Sequence, residues 1–73
     1  MEDALYACDR YLDDAVLGNA PWVRIIHGKG TGALRRAIQQ QLATDPRVVQ
    51  YRLGGSGEGG DGVTVAYLEE PSE

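Results

Sequence analysis

Between Trp22 and Leu42 the apolar period of the chain changes, and the change leaves little freedom in how it can fold. The run WVRIIH is rich in β-branched residues and reads as a strand. GALRRAIQQQLA then places Leu34, Ala37, Ile38, Gln41 and Leu42 on one face at helical spacing, with Arg35, Arg36, Gln39 and Gln40 on the other. The connection is GKGTG, with Gly28, Gly30 and Gly32 at every second position. Glycine gives a backbone access to left-handed torsions, so a tight strand-to-helix turn is expected, with Thr31 as the helix cap.

Similar patterning organises the rest. Residues 2–17 read as a helix with an apolar stripe of Leu5, Cys8, Leu12, Ala15 and Val16, and with Asp9, Asp13 and Asp14 outside it. Glu2 and Asp3 suit its positive N-terminal end, and GNAP stops it, with Gly18 as C-terminal cap and Pro21 unable to continue. RVVQYRL and VTVAYL read as two strands of a hairpin, joined by GGSGEGGDG, which is glycine-rich enough to be expected flexible. EEPSE is expected to be a disordered tail. The order is αβαββ, an α/β fold with helices packed on a sheet. A leading helix with no strand before it suggests a fragment whose first strand lies upstream.

At 73 residues the chain is one domain with a small core. No apolar run approaches the ~20 residues of a membrane span. The single Cys8 excludes an internal disulfide and a cysteine zinc site. With no secretion signal, a cytoplasmic location is expected. The net charge of −4 argues against a nucleic-acid partner, but its distribution argues for one. From Trp22 to Arg52 there are six basic residues (Arg24, Lys29, Arg35, Arg36, Arg47, Arg52) and one acid, Asp45, a net of +5. The flanks set Arg10 against ten acids, a net of −9. A basic face for a polyanion fits this asymmetry, and so do scattered solvated charges.

A strand, glycines and a helix N-terminus together make an anion site, because free N–H groups and the helix dipole point outward. Two nucleotide motifs are excluded. A P-loop needs glycine five residues after Gly28, where Ala33 stands, and a dinucleotide fingerprint needs glycine three after Gly32, where Arg35 stands. A phosphodiester fits. His27, the only histidine, is the side chain suited to general acid or base work near neutral pH, and Lys29 would neutralise charge on phosphorus. Gly28, Gly30, Thr31 and Gly32 would cradle the phosphate, with Arg24, Arg35 and Arg36 on flanking phosphates. Structural readings stand beside these: His27 as a hydrogen-bonded turn residue, the glycines as torsional hinges, Lys29 as a solvated charge and Asp61 as a turn residue. Asp9 and Asp13, four apart on a helix, lack a third metal ligand and read as a solvated face. Trp22, Tyr51 and Tyr67 are candidates for base stacking or for core packing.

HGKGTGALRRAI resembles the HGxGxG motif and following helix of the Smr (small MutS-related) domain family, and GGDGVTVAYL resembles its closing glycine loop and strand. RIIHGKGTGALRRAI is most like the C-terminal Smr domains of the bacterial MutS II group. The resemblance covers residues 3–68, so a domain over 1–68 and a tail over 69–73 are expected. It implies a βαβαββ two-layer α/β sandwich whose first strand, carrying Leu-Asp-x-His/Arg-Gly, is missing here. That leaves a sheet edge open. It further implies DNA or RNA binding, endonuclease nicking, a role in suppressing homologous recombination, ribosome binding and a homodimeric parent. Branched DNA is the leading substrate, with RNA or the ribosome as further partners, and a non-catalytic binding module is the alternative. No membrane partner is expected. No cofactor is expected in this domain: ATP belongs to an upstream ATPase, and a divalent metal is left open.

Overall fold

The computed structural model describes residues 2–70. Helix α1 (Glu2–Leu17) leads to strand β1 (Trp22–Ile26), helix α2 (Ala33–Thr44), strand β2 (Gln50–Leu53), a short 3-10 turn (Gly60–Gly62) and strand β3 (Val63–Tyr67). The sheet order is β1-β3-β2, antiparallel throughout, so β1 and β2 are the edges and β3 is central. In register, Val23 faces Ala66 and Ile25 faces Thr64, which sets these four toward the helices. Trp22, Arg24, Ile26, Val63, Val65 and Tyr67 take the opposite face. Cys8, Leu12, Val23, Ile25, Ile38, Leu42 and Ala66 form the core between the helices and the inner face. Burial of such side chains, at roughly 25 cal/mol per Å² of apolar surface, is what holds a domain of this size together.

The expected αβαββ order is observed, with local differences. Val16, expected in the apolar stripe, is 43% exposed near the end of α1. That helix closes with Ala20 N–H donating to Ala15 O and Asn19 N–H to Val16 O. Asn19, not Gly18, is the left-handed residue (φ 59°), so Asn19 takes the place expected of glycine in this closing motif. Gly32 (φ 85°), not Thr31, is the N-cap of α2, and the Thr31 hydroxyl accepts from Ala33 N–H instead (3.3 Å). The second strand starts three residues late. Arg47 N–H and guanidinium both bond Asp45, and Val48 N–H bonds Asp45 O, holding residues 45–48 in a turn.

The loop expected to be flexible is ordered. Glu58 accepts from Gly55 N–H (2.8 Å) and takes both Arg52 guanidinium nitrogens (2.8 and 3.0 Å). Gly54 N–H donates to Val63 O, and Gly60 N–H to Gly55 O. A single carboxylate therefore does what glycine composition alone argued against. Of the expected tail, Glu69 N–H donates to Pro21 O, and residues 71–73 lie outside the described residues. Among the described residues no helix is long and apolar enough to cross a membrane.

Candidate nucleic-acid interface

The loop between β1 and α2 leaves the sheet beside the 3-10 turn. Gly62 is buried there, and its carbonyl accepts from both His27 N–H (3.0 Å) and Gly28 N–H (2.9 Å). A Cβ at Gly62 would lie 3.3 Å from Lys29 Cγ and 3.5 Å from Gly28 C, so the two loops are in close contact there. Among the described residues, the N–H groups of Lys29, Gly30, Thr31 and Gly32 donate to no other backbone group. The first turn of α2 adds the donors that every helix start leaves without intrahelical partners.

His27 is half-buried and uses both ring nitrogens. Nδ1 lies 2.9 Å from Gly28 O, and a carbonyl only accepts, so Nδ1 carries the proton. In the neutral ring Nε2 then accepts from the Thr64 hydroxyl (2.7 Å), and Thr64 Oγ1 accepts from Gln39 Nε2–H (3.2 Å). Thr64 is fully buried, so this relay fixes the ring from behind and leaves Nδ1–H as its more exposed edge. Gln39 was expected on the solvent face of α2, but its length lets it reach inward. Sequence reasoning also missed Thr64. Its signal was one hydroxyl in the otherwise apolar VTVA.

The candidate residues divide into two groups. His27, Gly28, Lys29, Gly30, Thr31, Gly32 and Arg35 come together around a cavity of about 280 Å³. The Arg35 and Arg36 guanidinium groups fold back over Gly32: a Cβ there would meet Arg35 Nη2 at 2.9 Å and Arg36 Nη1 at 3.7 Å. Arg24 sits apart, on the outer sheet face, where it lines a second groove sharing Gly28 and Lys29 with the first. Lys29 Nζ and Asp61 Oδ1 are 3.6 Å apart, both well exposed, an arrangement that binds weakly.

Charge pairing separates the six central cations. Arg47 is held by Asp9 (2.6 Å) and Asp45 (2.6 Å), and Arg52 by Glu58. The Arg47 bonds hold the nearly buried Asp45 carboxyl below its ordinary range despite its burial. The Arg52 hydrogen bonds, helped by Gly55 N–H, bring Glu58 down to about 2. Among the described residues, no carboxylate pairs with Arg24, Arg35 or Arg36. Also among these residues, no three His, Cys, Asp or Glu side chains converge as a metal site, and Asp9, once weighed for one, is taken by Arg47. Of the aromatics, Trp22 and Tyr67 are cross-strand neighbours on the outer face, and Tyr51 lies opposite Ala66 on the other face.

The chain is a two-layer α/β domain with a glycine loop at a helix start, a fixed histidine in that loop and arginines beside it that pair with no carboxylate among the described residues. Residues 1–69 match the Smr domain, and the chain belongs to that family. It is 66% identical over 70 residues to the Endonuclease MutS2 of Symbiobacterium thermophilum, covering 96% of this chain and 9% of that protein. It is 56% identical over 68 residues to the Endonuclease MutS2 of Clostridium beijerinckii, covering 93% and 9% respectively. The chain thus spans about a tenth of the length of these relatives. The crystal structure of the Smr domain of Thermus thermophilus MutS2 superimposes with a TM-score of 0.90 at 43% identity, covering 94% of this chain and 86% of that one.

Proposed function

We propose that this domain binds and nicks DNA, as the nuclease module of a larger MutS2-type protein. One observation carries the reading. Lys29, Arg35 and Arg36 gather at a loop whose N–H groups over residues 29–32 lack backbone partners, with Arg24 beside it on the outer sheet face, whereas the other two central cations are neutralised. Loop amides and Lys29 hold the phosphate, and Arg35 and Arg36 hold its neighbours. Gly30 supports this from another direction. Its backbone torsion is ordinary and an added Cβ would meet nothing within 4 Å, so the chain itself makes no demand for glycine there. A close-approaching phosphate would.

We read His27 as the general acid. The carbonyl of Gly28 holds a proton on Nδ1, and in the imidazolium form, with Nε2–H donating to Thr64 Oγ1, that Nδ1 proton is the one His27 would give up. Water adds to phosphorus and releases its proton to solvent, the bond to the leaving oxygen breaks, and the Nδ1–H of the His27 imidazolium, turning from Gly28 O, protonates that oxygen and leaves the neutral ring. The substrate we favour is branched, recombination-intermediate DNA, and the role of the whole protein is suppression of homologous recombination. This finer reading, with a homodimeric parent, a cytoplasmic setting and ribosome rescue as a further role, rests on resemblance to the MutS II group. A second reading is a binding module without catalysis, and the full engagement of both His27 nitrogens favours it.

The test is a nicking assay on branched and supercoiled DNA by the native protein and its His27→Ala variant. Loss of a proton donor is expected to slow nicking by roughly 10²–10⁴-fold while binding persists. Equal nicking would remove His27 from the chemistry. Binding without nicking in either protein would favour the second reading.

A further inference from the structure

The groove holding Arg24 lies on the other side of the loop from the histidine, and the nicking reading leaves its apolar wall unused. Its volume is about 430 Å³, within the ~300–1,000 Å³ of small-ligand sites. Ile26, over the buried Val63 that pairs with it in register, supplies its apolar wall, with Gly28 and Lys29 at one end and Gly57, Glu58 and Gly59 across from them, the Glu58 carboxylate being bonded to Arg52. Ile26 is 75% exposed although it ends a strand, and Trp22, on the same face at the other end, is 49% exposed. Alternate residues of a strand stand about 6.7 Å apart, so Trp22, Arg24 and Ile26 form a row of roughly 13 Å running toward the loop.

Resting on the DNA-binding reading above, we propose that the outer face of β1 is a short track for single-stranded DNA. It leads unpaired nucleotides to the loop, one base against Ile26 and the next stacked on Trp22, with Arg24 on the phosphate between. Charge decides the occupant. Arg24 is unpaired among the described residues, and the groove runs directly into the loop through the shared Gly28 and Lys29. A polyanion with flat apolar bases complements a row that reads apolar, cationic, apolar. The other arginine on this face, Arg52, is committed to Glu58 and lies 5.8 Å over the Tyr67 ring, which occupies Tyr67 and leaves the Trp22 indole free. One free cation grips one backbone, and a duplex hides the base faces that a sheet surface stacks on. The row ends at Trp22, because Glu69, bonded through its N–H to Pro21 O, and Glu70 bring acids to that end. The track therefore takes about two nucleotides.

Trp22 is the only tryptophan, so the native chain reports on its own site. The chain is titrated with a single-stranded oligothymidylate and with a blunt hairpin duplex of equal phosphate number. Trp22 fluorescence and the anisotropy of the labelled oligonucleotide are both followed. Quenching by the single strand and none by the duplex is expected. Trp22→Ala and Ile26→Glu, both at exposed positions and checked for folding by circular dichroism, should each weaken single-strand binding by roughly tenfold, on the scale of base stacking, and leave duplex binding nearly unchanged. Single-strand binding without quenching, and with native affinity in both variants, would overturn the track. If Lys29→Ala and Arg35→Ala weakened binding in that case, the phosphate-loop reading would stand without it. Sensitivity to Trp22→Ala with indifference to Lys29→Ala and Arg35→Ala would instead sink the loop reading and the claim that the track leads there. Tenfold preference for oligouridylate RNA would overturn DNA as the occupant, and no binding of any nucleic acid at low salt would overturn both readings.

Discussion

Two glycine-rich loops meet at the end of this sheet, and similar composition gives them opposite characters. The loop over residues 54–62 is closed by its own chain: Glu58 binds Arg52 and Gly55, and the buried Gly62 carbonyl serves the neighbouring loop. The loop over residues 27–32 keeps its middle amides and Lys29 almost unpartnered. The difference is one carboxylate. Where an acid sits inside a loop, the loop satisfies itself. Where the loop carries only a cation, its donors stay available to an anion from outside.

Substitutions that exchange or erode this contrast test it, beginning with the largest effect. Gly32→Ala forces a side chain into a left-handed torsion and against the Arg35 guanidinium. A strained torsion of this kind costs about 1–3 kcal/mol. Each ~1 kcal/mol lowers Tm by roughly 4–8 °C in a domain this size, which thermal melting will read. Gly30→Ala, only two residues away, should leave Tm nearly unchanged yet weaken DNA binding severalfold in anisotropy titrations. If both variants only destabilise, or both only lose binding, the two glycines do not have the separate roles argued here.

Glu58→Gln removes the acid that closes the second loop, and its signature is in the pH dependence. The folded state holds Glu58 at about 2, against an ordinary 4.5, because the ionised form is bonded. A lowered value means that the stabilisation is complete above pH 4.5 and is lost as pH falls toward 2. Native Tm should therefore decline through that window more steeply than the Tm of Glu58→Gln, and the variant should start lower at neutral pH. Asp45, also lowered, adds to the native acid sensitivity, so Glu58→Gln will reduce the slope without abolishing it. The smallest effect is expected from Asp61→Asn. The exposed pair it breaks contributes at most ~1 kcal/mol, so Tm should barely move, while release of Lys29 should raise DNA affinity about twofold to threefold.

Much of this arrangement was legible in the sequence because it is local. The strand-to-helix turn follows from a change of period and from alternate glycines, and α1 follows from its stripe, even though Val16 strays outside it. What was hidden is what depends on partners far along the chain. Glu58 looks like a lone acid among glycines until Arg52 is seen across the hairpin. Arg24 falls in the same charge block as Lys29, but strand alternation turns it onto the outer face, away from the helix start. Thr31 has the right residue type for a cap, yet the left-handed Gly32 takes that position and displaces it. The histidine was found by its motif, but its proton position needed Gly28 O, Thr64 and Gln39 together.

The bond between His27 and Thr64 joins residues 37 apart in sequence, and the Gly62 carbonyl that anchors His27 and Gly28 comes only slightly earlier. Contacts at such separation form late, because a long stretch of chain must be closed first. A ribosome making this domain would have released the whole HGKGTG motif well before the residues that fix its ring emerged. During that interval neither Thr64 nor the Gly62 carbonyl is there to hold the motif. The domain thus leaves the His27 ring unfixed until β3 is synthesised.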